Sequence, residues 1–177
     1  MPTVDLPQGR VNYRVAGPPD STLPPVVFVH GILVDGELWT GVADALAARG
    51  IRSYAPDLPL GAHEIAMNPD ADMSPRGVAR LVLAFIDALG LTDVTLVGND
   101  TGGALCQFVL DTDASRVGRL VLTTCDAFDQ VPPPPSFPSN LHGGCTALST
   151  THGSVEEPRD GTPRRSTDDD RSRHPPA

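Results

Sequence analysis

Val94-Thr95-Leu96-Val97-Gly98-Asn99-Asp100-Thr101-Gly102-Gly103-Ala104-Leu105 runs from a strand-like segment through a glycine-flanked turn into a helix-like one. Val94 to Val97 is a short run of β-branched and apolar residues, as a strand requires. Gly103 to Leu110 reads as a helix. Between them, glycine stands at 98 and again at 102, two residues either side of Asp100. A strand that turns straight into a helix leaves no room for side chains at those two places. The turn pushes residue 100 out at the carboxyl edge of the sheet, with the positive end of the helix dipole behind it. Taken alone, this spacing also fits an ordinary strand-to-helix turn in which aspartate caps the helix.

The residues upstream supply a second motif. Val26-Val27-Phe28-Val29 is a continuous apolar run, as expected of a strand buried on both faces, and it leads into His30-Gly31-Ile32. Further strands are predicted at Val11–Val15, Ile51–Ala55 (closed by Pro56) and Leu120–Thr123. Glu37–Arg49 reads as a helix with Leu38, Val42, Ala45 and Leu46 on its buried face and Gly50 as its stop. Trp39 is expected to pack that helix against the sheet. Ser74 is the predicted cap of a helix that has Pro75 in its first turn, an apolar stripe of Val78, Leu81, Val82, Phe85, Ile86 and Leu89, and Gly90 at its end. Strands alternating with helices predict the α/β class, with a mostly parallel sheet and flanking helices.

This order of elements and motifs resembles the α/β-hydrolase superfamily over about residues 8–130. It includes His30-Gly31, Ala55-Pro56-Asp57-Leu58-Pro59 and the Gly98 to Gly103 turn. The turn has the layout of that family's nucleophile elbow, G-x-S-x-G, with Asp100 in place of serine. The resemblance implies a nucleophilic role for Asp100, and for the backbone N–H groups of Ile32 and Thr101 a role as oxyanion donors. His30, Gly31, Gly98 and Gly102 complete the motifs. His30 precedes the nucleophile, whereas the family places its base last, so a histidine that hydrogen-bonds the loop fits better than a base. Asp126, after the strand that follows the nucleophile helix, is the candidate for the acid that orients a histidine; the alternative is a loop or cap aspartate.

An aspartate nucleophile makes the chain similar to haloalkane dehalogenases and epoxide hydrolases. A carboxylate attacking an ester gives an anhydride. A carboxylate attacking an sp3 carbon displaces halide or opens an epoxide, and leaves an alkyl ester that water, activated by a histidine, then hydrolyses. Dehalogenases usually carry Trp after the nucleophile and Asn after His-Gly. Here those positions are Thr101 and Ile32. Epoxide hydrolases use cap tyrosines, and the only tyrosines here, Tyr13 and Tyr54, fall in predicted strands. The resemblance implies a small-molecule substrate of unspecified identity and no cofactor. No His, Cys or carboxylate cluster has metal-ligand spacing.

Composition narrows the partners. The 22 acidic residues outnumber 13 basic ones, all arginine, and the net charge is −9. That balance argues against nucleic acid and against an anionic membrane surface. No apolar stretch approaches the roughly 20 residues of a membrane span. Cys106, Cys125 and Cys145 form no disulfide framework, so a reduced, cytoplasmic setting is expected.

From Val131 the character changes. Residues 131–177 hold eight apolar residues and nine prolines among 47. Such a segment buries too little apolar area to offset its ordering entropy, so a low-complexity, disordered tail is expected beyond a 1–130 domain. The family's histidine follows a cap and the last strands, none of which is read here. His63 falls in a loop, and His142, His152 and His174 in the tail. The expectation is therefore a truncated N-terminal half, inactive as it stands, with poor solubility and a tail of frameshift composition. Two other functions remain: a hydrolase completed by a partner chain that supplies the base, and a non-enzymatic binding domain. The oligomeric state is left open.

Overall fold

The computed structural model describes residues 1–125. The predicted tail and Asp126 lie outside them. Six strands form one sheet in the order β1-β2-β4-β3-β5-β6. They are β1 (Thr3–Leu6), β2 (Gly9–Ala16), β3 (Val26–Val29), β4 (Ser53–Pro56), β5 (Val94–Asp100) and β6 (Val117–Cys125). β2 runs antiparallel to β1 and β4, while β3 is parallel to β4 and β5, and β5 is parallel to β6. The helices are α1 (Thr40–Ala47), α2 (Pro75–Ala88) and α3 (Thr101–Thr112).

β3 explains why its sequence is apolar without alternation. Side chains of a strand point alternately to the two faces. Val27 and Val29 join a core with Val78, Leu81, Phe85 and Leu105 from α2 and α3. Val26 and Phe28 point the other way, into a smaller core with Trp39, Ala55 and Val97. The sheet is thus covered by α2 and α3 on one face and by α1 on the other. α2 starts as its sequence dictates: Ser74 Oγ accepts a hydrogen bond from the Gly77 N–H at 3.1 Å, and Pro75 occupies the first turn.

The first predicted helix needs correction. Glu37–Arg49 divides into a 3-10 turn, Gly36–Trp39, and the shorter α1. Its buried face is also rotated from the predicted one. Leu38 and Val42 are each 49% exposed. Trp39 and Ala43 make the contact together with Leu46, the one residue of the predicted face that packs there, and the Trp39 ring stacks on Phe28 at 4.6 Å. The reason is a single large side chain: the indole buries more apolar area than leucine and valine, and sets the rotation of the helix. Trp39 does pack the helix on the sheet, as expected.

β1 was not predicted. Its four residues pair with β2 through the two-residue turn Pro7-Gln8, and so short a segment carries too few positions for alternation to register. β2, β5, β6 and α3 extend one to three residues beyond their predicted limits, β3 keeps its predicted limits, and β4 is shifted from 51–55 to 53–56.

Candidate active site

β5 runs on through Asn99 to Asp100, and α3 begins at the next residue, so the turn takes no loop residues at all. Asp100 absorbs the change of direction, with φ 54° and ψ −134°. Positive φ at a non-glycine residue costs of order 1–3 kcal/mol and persists where the surroundings over-determine it. Here the surroundings are backbone. A Cβ at Gly102 would overlap the carbonyl oxygen of Val29 and lie 2.6 Å from that of His30. The start of α3 is therefore pressed directly on the end of β3.

That contact brings the two sequence motifs together. A Cβ at Gly31 would overlap Asp100 Oδ2 and lie 2.9 Å from the Asp100 Cβ, so the carboxylate rests on the bare face of Gly31. The Ile32 N–H donates to no backbone acceptor among the described residues. The Thr101 N–H is the first of α3 and has no intrahelical acceptor. Thr101 Oγ1 lies 3.5 Å from Asp100 Oδ2. Asp100 itself makes no side-chain cap bond to α3, which removes the reading of this residue as an ordinary helix cap.

His30 is wholly buried. Its Nδ1 donates to the Gly31 carbonyl at 2.7 Å, and its Nε2 accepts from the Leu58 N–H at 2.8 Å. Both nitrogens are thus spent on tying the loop after β3 to the loop after β4. Burial holds the imidazole below the usual histidine value, against the opposing pull of the Gly31 carbonyl and Asp57. The sign of the pH effect follows. Below pH ~6.5 the unfolded chain takes a proton that the folded chain refuses, so stability falls as pH drops through that value. Thermal melts between pH 7.5 and 5 should show it, and the His30→Asn variant should show a flat profile there. The carboxylates held low by hydrogen bonds, Asp5, Asp72 and Asp113, act in the same direction but below their ordinary value of 3.8.

Two residues under the loop were given no role from sequence. Asp57, 8% exposed, accepts from Arg14 Nη1 at 2.6 Å and from the Gly36 N–H at 3.0 Å. Arg14 also lies within 4 Å of Asp35 and Glu37. The pair fixes the segment that leads from His30 to α1. The legible signal was a lone charge inside the strand Val11–Val15 and an acid just past the end of another. Asp57→Ala is expected to leave the guanidinium without its closest partner and lower stability by about 2 kcal/mol. This lies below the range for wholly buried pairs, because Arg14 is 30% exposed. Urea melts would measure it.

Asn99 was likewise passed over. Its Nδ2 donates to the Thr123 carbonyl at 3.0 Å, and Thr123 Oγ1 donates to the Gly98 carbonyl at 3.2 Å, clamping β6 to the elbow. In that register Asp100 pairs with Cys125. Asp126 follows directly in sequence, outside the described residues. Among the described residues no group of three or more His, Cys, Asp or Glu side chains is placed to hold a metal, and no helix is long and apolar enough to cross a membrane.

Comparison with known proteins agrees with this geometry. Residues 24–141 match the family described as alpha/beta hydrolase fold. A haloalkane dehalogenase of Mesorhizobium japonicum is 38% identical over 117 residues, 66% of this chain and 35% of that protein. A putative esterase/lipase of Mycoplasma pneumoniae is 31% identical over 121 residues, 68% of this chain and 42% of that protein. Among solved structures, the epoxide hydrolase CorEH superposes with a TM-score of 0.60 at 27% identity, covering 70% of this chain and 41% of that one. The chain thus spans well under half the length of these relatives. With its sheet order, its elbow and a family match over most of its length, the chain belongs to the α/β-hydrolase fold family.

Proposed function

We propose that the chain carries the nucleophilic half of a hydrolase that attacks sp3 carbon through Asp100. One observation carries this reading: the Asp100 carboxylate is presented on a strained elbow against Gly31 and makes no cap bond to α3. In the proposed step a carboxylate oxygen forms a bond to carbon. The carbon–halogen bond breaks and halide leaves with its electron pair; with an epoxide, the ring C–O bond breaks instead, its electron pair goes to the ring oxygen, and the alkoxide takes a proton from water. The product is an alkyl ester on Asp100. The N–H groups of Ile32 and Thr101 would stabilise the oxyanion formed when water attacks that ester. Asp126 would orient the histidine that activates the water. Haloalkane dehalogenases and an epoxide hydrolase among the similar proteins support the substrate class, a small alkylating molecule.

Hydrolysis of the ester needs a base. His30 has no free nitrogen to serve, since both are hydrogen-bonded inside the loop. The proposal is therefore of a domain over residues 1–130 that captures substrate on Asp100, with His30 unavailable to release the ester. The second reading, in which another chain supplies the base, draws on the same two facts: an occupied His30 and a chain spanning 35–42% of its relatives. Counting halide released from a primary bromoalkane separates the readings. One equivalent per chain is the expected result. Sustained release would mean that a base is present, in the chain or in a partner. No release from a protein that melts cooperatively would favour a non-enzymatic binding role.

A further inference from the structure

The two carboxylate oxygens of Asp100 have different surroundings. Oδ2 is the one seated on Gly31, where an added Cβ would overlap it. Oδ2 also accepts a hydrogen bond from the Thr101 hydroxyl, at 3.5 Å. Oδ1 accepts none among the described residues, and Asp100 is exposed. Oδ1 is therefore the oxygen open to an incoming carbon, and Oδ2 the one held by the protein. The Thr101 hydroxyl owes its direction to its place in α3. A threonine inside a helix commonly turns its hydroxyl back to a carbonyl three or four residues earlier. Thr112, at the other end of α3, does so, donating to the Phe108 carbonyl at 2.7 Å. Thr101 opens the helix and has no turn behind it, so its hydroxyl meets the carboxylate of the residue before.

The charge on Oδ2 changes along the reaction. When Oδ1 bonds to carbon, Oδ2 becomes the carbonyl oxygen of the ester and loses most of its charge. When a nucleophile then adds to Cγ, the carbonyl electron pair moves onto Oδ2 and the charge returns. A donor on Oδ2 is thus worth more in that transition state than in the ester, which is the condition for catalysis. The present O···O separation is long for a hydroxyl donor, and catalytic hydrogen bonds are often long until the reacting charge forms. We propose that the Thr101 hydroxyl is a third oxyanion donor, acting on Oδ2 together with the backbone N–H groups of Ile32 and Thr101. This role rests on the reading of Asp100 as the nucleophile. It speeds breakdown of the ester and not its formation. On the unreacted carboxylate the same hydroxyl draws charge away and slightly slows the first attack.

Hydroxylamine separates the two steps, because it attacks an ester without help from a protein base. The full chain would be alkylated with a primary bromoalkane, freed of reagent and placed in hydroxylamine. The nitrogen bonds to Cγ and gives up a proton. The Cγ–Oδ1 bond then breaks, its electron pair leaves with the alkoxide, and the alkoxide takes a proton to become the alcohol. A hydroxamate stays on residue 100, and mass spectrometry follows both masses. Thr101→Val should slow this release about tenfold, less than the roughly 10²- to 10³-fold effect of a fully enclosed oxyanion donor, because the hydroxyl is only half-buried. The same variant should raise the rate of alkyl uptake about twofold, since the carboxylate loses a hydrogen bond. Thr101→Ser should return both rates to within about threefold of the wild type. If circular dichroism shows that Thr101→Val does not fold, Thr101→Ala removes the same hydroxyl in a better helix former. Release from the valine or alanine variant at the wild-type rate, a fall in both rates, or no recovery with serine would overturn the role and leave Asp100 as the nucleophile. A wild-type chain that takes up no alkyl group would overturn the nucleophile reading and this role with it.

Discussion

Replacing Asp100 by asparagine should lower the rate of halide release from a primary bromoalkane by about 10⁴- to 10⁶-fold, the scale on which loss of a nucleophile acts. The substitution is chosen to leave everything else in place. Asparagine has the shape of aspartate and is among the few residues that accept positive φ, so the 54° at this position is retained. The side chain still fits over Gly31 and within reach of Thr101 Oγ1. Thermal stability should therefore stay within about 1 kcal/mol of the wild type, inside the usual range for isosteric changes. A folded Asp100→Asn protein that still released halide at the wild-type rate would move the nucleophile elsewhere.

The second large effect is structural. Gly102→Ala is expected to destabilise the fold by about 3 kcal/mol or more, at the upper end of what overpacking costs. The added methyl would meet backbone on the far side, the carbonyl groups of Val29 and His30, and backbone cannot swing away as a flexible side chain does. Either α3 must lift or the end of β3 must yield. Both carry the site: α3 begins beside Asp100, and β3 leads into His30 and Gly31. Chemical denaturation gives the size of the loss. The capture rate of whatever fraction remains folded should fall with it, because the added methyl pushes the start of α3 away from the end of β3 that leads into Gly31. Ala104→Gly, two residues along on the same helix, is a useful contrast: it costs helix propensity of about 1 kcal/mol plus a small cavity, and leaves the elbow alone.

Most of the framework was legible because its signals are local. The β3 run, the Ser74–Pro75 start of α2 and the glycines of the elbow each have one physical cause, and each cause is written in a few adjacent residues. The elbow was readable because Gly98 and Gly102 are demanded by backbone contacts that no other residue would tolerate. What escaped was set by distant partners. α1 turns Ala43 and Leu46 to the sheet beside Trp39, and the choice of Ala43 and Trp39 over Leu38, Val42 and Ala45, which were read on one face with Leu46, is made by Phe28, across the core. Asp57 gained its place from Arg14, 43 positions away, and Asn99 from Thr123, 24 away. β1 is defined only by the strand beside it. His30 is the instructive middle case. Its position in the chain argued against a base, while the two hydrogen bonds that occupy it, to Gly31 and Leu58, required the fold.

Asp100 is proposed to attack carbon and to hold the product as an ester. Incubating the full chain with a primary bromoalkane, digesting it and mapping the added alkyl mass by tandem mass spectrometry tests this most directly. One alkyl group per chain is expected, on the peptide that contains Asp100, persisting over hours and absent from Asp100→Asn. An unmodified Asp100 in a cooperatively folded protein, or an alkyl group carried only by Cys125 or another side chain, would contradict it.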